Sequence, residues 1–262
     1  MGFLAALFVH PTLEELTIRG GGLEWELGDH AILHNSTPIT LLSKQRPKST
    51  NLKKLSLGPD VWWGNDDDAT LLEPILTLPK ALESLELDLN GVEDYTAYYV
   101  EGLKGHIDQQ KSSLKHLKFG NPEDRKDLTY MMPDGPMRFD DYPMLQSLDI
   151  EYIVLFSQHL DGDPTDRVGP HDFKLSDLVP PQLEKLTLRV TVERTMYVHM
   201  PAFELIEAIV EDEVNLPGLE KLNLVPYNSD ADLMEARKSV RERMIEAAEK
   251  LEESGIEVGY QA

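Results

Sequence analysis

Leu82-Glu83-Ser84-Leu85-Glu86-Leu87-Asp88-Leu89-Asn90-Gly91-Val92 follows the pattern L-x-x-L-x-L-x-x-N-x-L, with valine in the last slot. Its first six positions recur at Leu13/Leu16/Ile18, Leu52/Leu55/Leu57, Leu114/Leu117/Phe119, Leu145/Leu148/Ile150, Leu183/Leu186/Leu188 and Leu219/Leu222/Leu224. Counting the quoted stretch, there are seven copies, whose starts lie 39, 30, 32, 31, 38 and 36 residues apart. One copy is a weak signal, but seven at quasi-regular spacing mark a repeat architecture.

Each copy reads as a short strand. Its last two apolar positions are two apart, so both side chains point to one face. A lone strand cannot bury that face, whereas strands stacked in parallel can. Parallel neighbours need a crossover, and 30 or more residues leave room for a helix. Helical spacing is visible at 69–78 (interrupted by Pro74), at 94–109, at 201–214 behind Pro201, and at 229–253 before the stop residue Gly255. Ile256-Glu257-Val258 reads as an eighth strand. Residues 20–51, 121–142 and 158–181 are rich in glycine and proline and read as irregular loops. The fold expected is therefore α/β: a solenoid with a parallel sheet of seven or eight strands, joined by helices and loops, in one domain over residues 1–262. Residues 1–10 read as a cap or as the helix of a preceding repeat, which would make the chain part of a longer one; residues 229–262 form the closing helix and strand.

Composition bounds the partners. Lys and Arg number 25 against 47 Asp and Glu, for a formal net charge of −22. Such a surface repels phosphate backbones and anionic membranes, so neither nucleic acid nor a membrane is expected as partner; a protein with a basic surface is. The chain has no cysteine, which removes disulfides and thiolate chemistry and fits an intracellular, cytoplasmic or nuclear setting. No apolar run approaches the length of a membrane helix.

These repeats resemble the leucine-rich repeat family, over residues 11–224. Segments such as Pro11–Ile18 and Pro180–Leu188 look like the irregular repeats of fungal F-box and leucine-rich-repeat proteins. The resemblance implies a horseshoe that binds protein, as in the substrate-reading part of a ubiquitin ligase receptor. Two departures stand out. The family asparagine occupies the ninth repeat position only at Asn90, and residues 1–50 hold no F-box sequence. A cullin adaptor is implied only if an F-box lies upstream.

Strand alternation places the third, fifth and seventh positions of each copy on the concave face. Candidate contact residues there are Glu15, Arg19, Lys54, Ser84, Glu86, Asp88, His116, Lys118, Asp149, Glu151, Lys185, Arg189 and Lys221, all expected to be exposed, with acidic and basic rows able to pair laterally. Trp62 and Trp63 are rim candidates, one ring packed inside and the other a binding anchor. No catalytic, metal or cofactor residue is assigned, and no cofactor is expected. The stretch 161–166 lacks the glycine and the glutamate of a calcium loop. His30 and His34 lack a third ligand, and no phosphate-binding or nucleophile-elbow motif is present. The alternatives to a binding scaffold are a loop-based or metal-dependent enzyme near Asp163 or His30, and a remnant without a partner.

Overall fold

The computed structural model describes residues 8, 10–18, 45–58, 72–88, 97–120, 136–151, 154–155, 174–191, 212, 215–227, 249, 251–253 and 255–260. Every copy of the six-residue motif forms a strand: β1 (Glu15–Ile18), β2 (Lys54–Leu57), β3 (Ser84–Asp88), β4 (His116–Gly120), β5 (Ser147–Glu151), β6 (Lys185–Thr191) and β7 (Lys221–Tyr227). An eighth, β8, spans Glu257–Tyr260. All eight lie in one sheet in chain order, and each neighbouring pair is parallel.

The register follows the motif without a slip. The fourth-position row runs Leu16, Leu55, Leu85, Leu117, Leu148, Leu186, Leu222 and Val258. The sixth-position row runs Ile18, Leu57, Leu87, Phe119, Ile150, Leu188, Leu224 and Tyr260. A shift by one residue would turn the buried side chains of these rows to solvent, so burial itself fixes the pairing. The first leucine of the motif precedes the strand and closes the same core: Leu52, Leu82, Leu114, Leu145, Leu183 and Leu219 are all buried.

Two of the expected helices are present. Helix α1 covers Leu72–Thr77, with Leu72, Pro74, Ile75 and Leu76 buried. Pro74 does not interrupt it. It stands in the first turn, where a missing N–H removes no intrahelical bond. Helix α2 covers Ala97–Ile107 and tightens into a 3-10 turn at Asp108–Gln110. Leu103 and Ile107 face the core. The helices expected over 201–214 and 229–253 lie almost wholly outside the described residues. The end of the second is visible: Ile256 N–H bonds to Leu251 C=O and Gly255 N–H to Glu252 C=O. With Gly255 at φ +95°, this is a Schellman stop, as the glycine's position implied.

The ends of the loop segments differ from expectation. Met137, Phe139 and Tyr142 are buried, although 121–142 reads as a loop. Phe139 N–H bonds to Leu178 C=O at 2.6 Å and Met137 N–H to Leu155 C=O at 3.1 Å. The described part, residues 136–142, packs against the core without forming a helix, and the Met137 and Phe139 amides are satisfied by the next connection. Leu175, Leu178 and Val179 are likewise buried around a 3-10 turn at Leu175–Asp177. Among the described residues, no helix is long and apolar enough to cross a membrane.

Candidate functional site

The face of the sheet opposite the leucines carries three polar rows, set by the same register. The third-position row is Glu15, Lys54, Ser84, His116, Ser147, Lys185, Lys221 and Glu257. Its ends are paired: Lys54 donates to Glu15 at 2.6 Å, and Lys221 pairs with Glu257. The Lys54–Glu15 pair raises the lysine's pKa by hydrogen bond and charge. Being exposed, these pairs contribute little to stability. The centre of the row is open. Ser84, His116, Ser147 and Lys185 make no side-chain hydrogen bond or ion pair among the described residues.

The fifth-position row is linked sideways. Ser56 donates to Glu86 Oε2 at 3.0 Å, and Lys118 pairs with Glu86 Oε1. Arg189 Nη2 reaches back to Asp149 Oδ2 at 2.7 Å, and Asn223 donates to Thr187 at 3.1 Å. Lateral charge pairing, expected from alternating acidic and basic strands, is therefore present at Glu86–Lys118 and Asp149–Arg189.

The seventh-position row departs from expectation. Glu151 and Arg189 are not exposed; they are 2% and 7% accessible, and Thr187 beside them is 9%. Strand alternation puts a side chain on a face, but burial depends on what lies across it. Here the missing side chain at Gly120 makes room. A Cβ at that position would lie 2.9 Å from Arg189 Nη1 and 3.3 Å from Glu151 Cγ. The arginine and glutamate therefore fold down over the glycine instead of standing in solvent. Arg189 Nη1 and Asp149 Oδ1 are buried with no hydrogen-bond partner among the described residues. Burial pushes the Asp149 carboxyl pKa upward, against the opposing pull of Arg189, Lys118 and Lys185, with Glu86 adding to the rise.

Lys54, Glu86, Lys118, Asp149 and Lys221 thus lie on the expected face but are engaged internally. Asp88 lies at the end of β3, opposite Gly120 in register. Arg19, Trp62 and Trp63 lie outside the described residues, as do His30, His34 and the 161–166 loop. Among the described residues, no group of three or more His, Asp or Glu is placed to hold a metal ion.

A buried polar tie went unnoticed in the sequence. Gln110, 3% accessible, accepts from Leu82 N–H at 3.0 Å and donates to Leu76 C=O at 2.6 Å and Pro79 C=O at 3.2 Å. It closes α1 onto β3. Nothing in its local sequence signals this, because its partners lie 28–34 residues away. Asp212 does the same elsewhere, accepting from Ser176 N–H at 2.7 Å, Ser176 Oγ at 3.0 Å and Asn215 at 2.7 Å.

Comparison with known proteins finds no matching family model, no matching curated protein and no matching solved structure.

Proposed function

We propose that the chain is a non-enzymatic protein-docking scaffold of the leucine-rich-repeat kind, with the polar sheet face as the concave side of a solenoid. One observation carries the reading: the open strip Ser84–His116–Ser147–Lys185, flanked on both sides by paired charges. Four adjacent strands give the strip a width of about 14 Å, enough for about four residues of extended chain lying across them. Its groups are hydroxyls, an imidazole and an ammonium, all suited to hydrogen bonds with a peptide. The linked row beside it, Glu86–Lys118 and Asp149–Arg189, stiffens the strip and holds its side chains back.

The charge of −22 acts at longer range and draws a cationic partner to the surface. Glu15, Glu86, Asp149 and Glu257 are engaged by neighbouring cations, so the contact itself is made by the strip. A cullin adaptor recovered with the full-length protein would extend the reading to a ligase receptor.

The test is affinity capture from the native cell with the wild-type chain and with Ser147→Arg/Lys185→Glu. The doubly substituted chain should keep its melting temperature and lose the specific partner. Equal capture by both proteins removes the strip from consideration.

A further inference from the structure

Ahead of β2 and β3, off the polar rows, lies an open notch of 670 Å³ lined by Arg46, Pro47, Lys48, Ser49 and Lys80. Three cations meet there in a chain whose acidic residues outnumber its basic ones by 47 to 25. Lys80 is held by Asn51 Oδ1 at 2.8 Å, and Asn51 in turn donates to Pro11 C=O at 2.7 Å. The backbone is pinned on both sides: Lys48 N–H to Thr77 C=O at 2.9 Å, Thr50 N–H to Leu78 C=O at 3.0 Å, and Lys80 N–H to Thr50 C=O at 3.1 Å. Between these fixed points, Ser49 makes no hydrogen bond among the described residues, by backbone or hydroxyl. Neither the Arg46 guanidinium nor the Lys48 ammonium has a carboxylate partner among them.

Lys48 also breaks a local rule. Its φ of +55° is left-handed, and it is the single non-glycine residue with positive φ among those described. After proline, that place in a turn is ordinarily taken by glycine or asparagine. Local rules are broken chiefly at functional sites, where the side chain compensates for the strain. The side chain kept here is a cation, on a notch that Arg46 and Lys80 also line. The notch offers an arginine fork, two ammoniums, a backbone N–H and a hydroxyl. Among the described residues the lining holds no carboxylate, and this set of donors suits a tetrahedral oxyanion.

We propose that this notch binds a phosphoserine- or phosphothreonine-bearing segment of a protein partner. The notch has several times the volume of a phosphate group and is open to solvent, which suits a phosphate carried on a chain. Among the described residues it has no aromatic lining for a base to stack on, and the net charge of −22 repels an extended polyanion.

The test is a titration of the full ¹⁵N-labelled chain with inorganic phosphate, with a degenerate peptide pool of fixed central phosphoserine, and with the same pool unphosphorylated. The Lys48 and Ser49 amides should shift with phosphate, shift at lower concentration with the phosphorylated pool, and stay unmoved by the unphosphorylated pool. Arg46→Gln and Lys48→Gly should each weaken the phosphopeptide by about fivefold or more, the scale of one lost charge-assisted hydrogen bond. Lys48→Gly accepts the left-handed backbone, so its melting temperature should not fall, which separates loss of charge from loss of fold. Unchanged affinity in Lys48→Gly overturns the proposal. So does a phosphorylated pool that binds no better than inorganic phosphate, or tighter binding to an RNA oligonucleotide or to phosphatidylserine vesicles.

Discussion

Arg189 stands opposite Glu151 and diagonally across from Asp149, whose own register partner is Thr187, and it turns back to donate Nη2 to Asp149 Oδ2 at 2.7 Å. The same guanidinium rests on Gly120, two strands away. Three strands of the sheet are therefore tied by one side chain. The tie is costly, because removing charges from water is only partly offset by their pairing.

That cost should appear in the pH dependence of stability. Burial raises the Asp149 carboxyl above its ordinary value of 3.8, so the folded state binds its proton more tightly than the unfolded state does. Between the ordinary value and the raised one, the folded chain carries more protons, and stability falls as pH rises. The stabilising contribution is thus present at low pH and lost as pH climbs through the raised value. Urea unfolding of wild type and Asp149→Asn should show the wild type losing ground across this window, then running parallel above it. A wild type that gains on the variant with rising pH contradicts the assignment.

Gly120 should resist any side chain for a reason that lies on other strands. Gly120→Val brings a Cβ within 2.9 Å of Arg189 Nη1 and 3.3 Å of Glu151 Cγ. The crowding should cost about 1–3 kcal/mol. Arg189→Met removes one of the crowding atoms but leaves the Asp149 carboxylate without its guanidinium. The two substitutions should then couple by about 1 kcal/mol in a double-mutant cycle, the pair costing less than the sum. Additivity would show that the arginine does not occupy that space.

Gln110 should behave as a structural pin. Gln110→Ala strips partners from the Leu82 N–H and from the carbonyls of Leu76 and Pro79 together. A loss of about 2–4 kcal/mol is expected from these unmade bonds and the cavity left behind. Gln110→Glu keeps the acceptor for Leu82 but sets a carboxylate against the two carbonyls, so it should also destabilise, less at low pH. Hydrogen exchange at the Leu82 amide reads both: it should accelerate strongly in the alanine variant and less in the glutamate variant at acid pH.

The strands, their parallel order and their register were legible from residues such as Leu85, Leu87, Leu148 and Ile150, because a period of two with buried leucines admits one pairing. The end of the last helix was legible from Gly255, whose positive φ suits glycine alone. The core roles of Phe139 and Tyr142 were not legible, since a non-helical segment among prolines carries no periodicity. Its place is set by the Phe139–Leu178 backbone bond, 39 residues apart in the chain.

The leucine pattern by itself determined the sheet, since each copy has an apolar face that only its neighbours can cover. Charge and spacing placed Ser84, Glu86, His116, Asp149, Lys185 and Arg189 on the other face. Only the tertiary structure decided which of them remain available. Availability depends on what stands one strand away: a lysine bonded to Glu86, an arginine bonded to Asp149, a glycine beneath Arg189, and no side chain bonded to Ser84 or Ser147 among the described residues. The separation of paired from open positions is a property of neighbours some 30–40 residues apart, and such neighbours meet only when the chain folds.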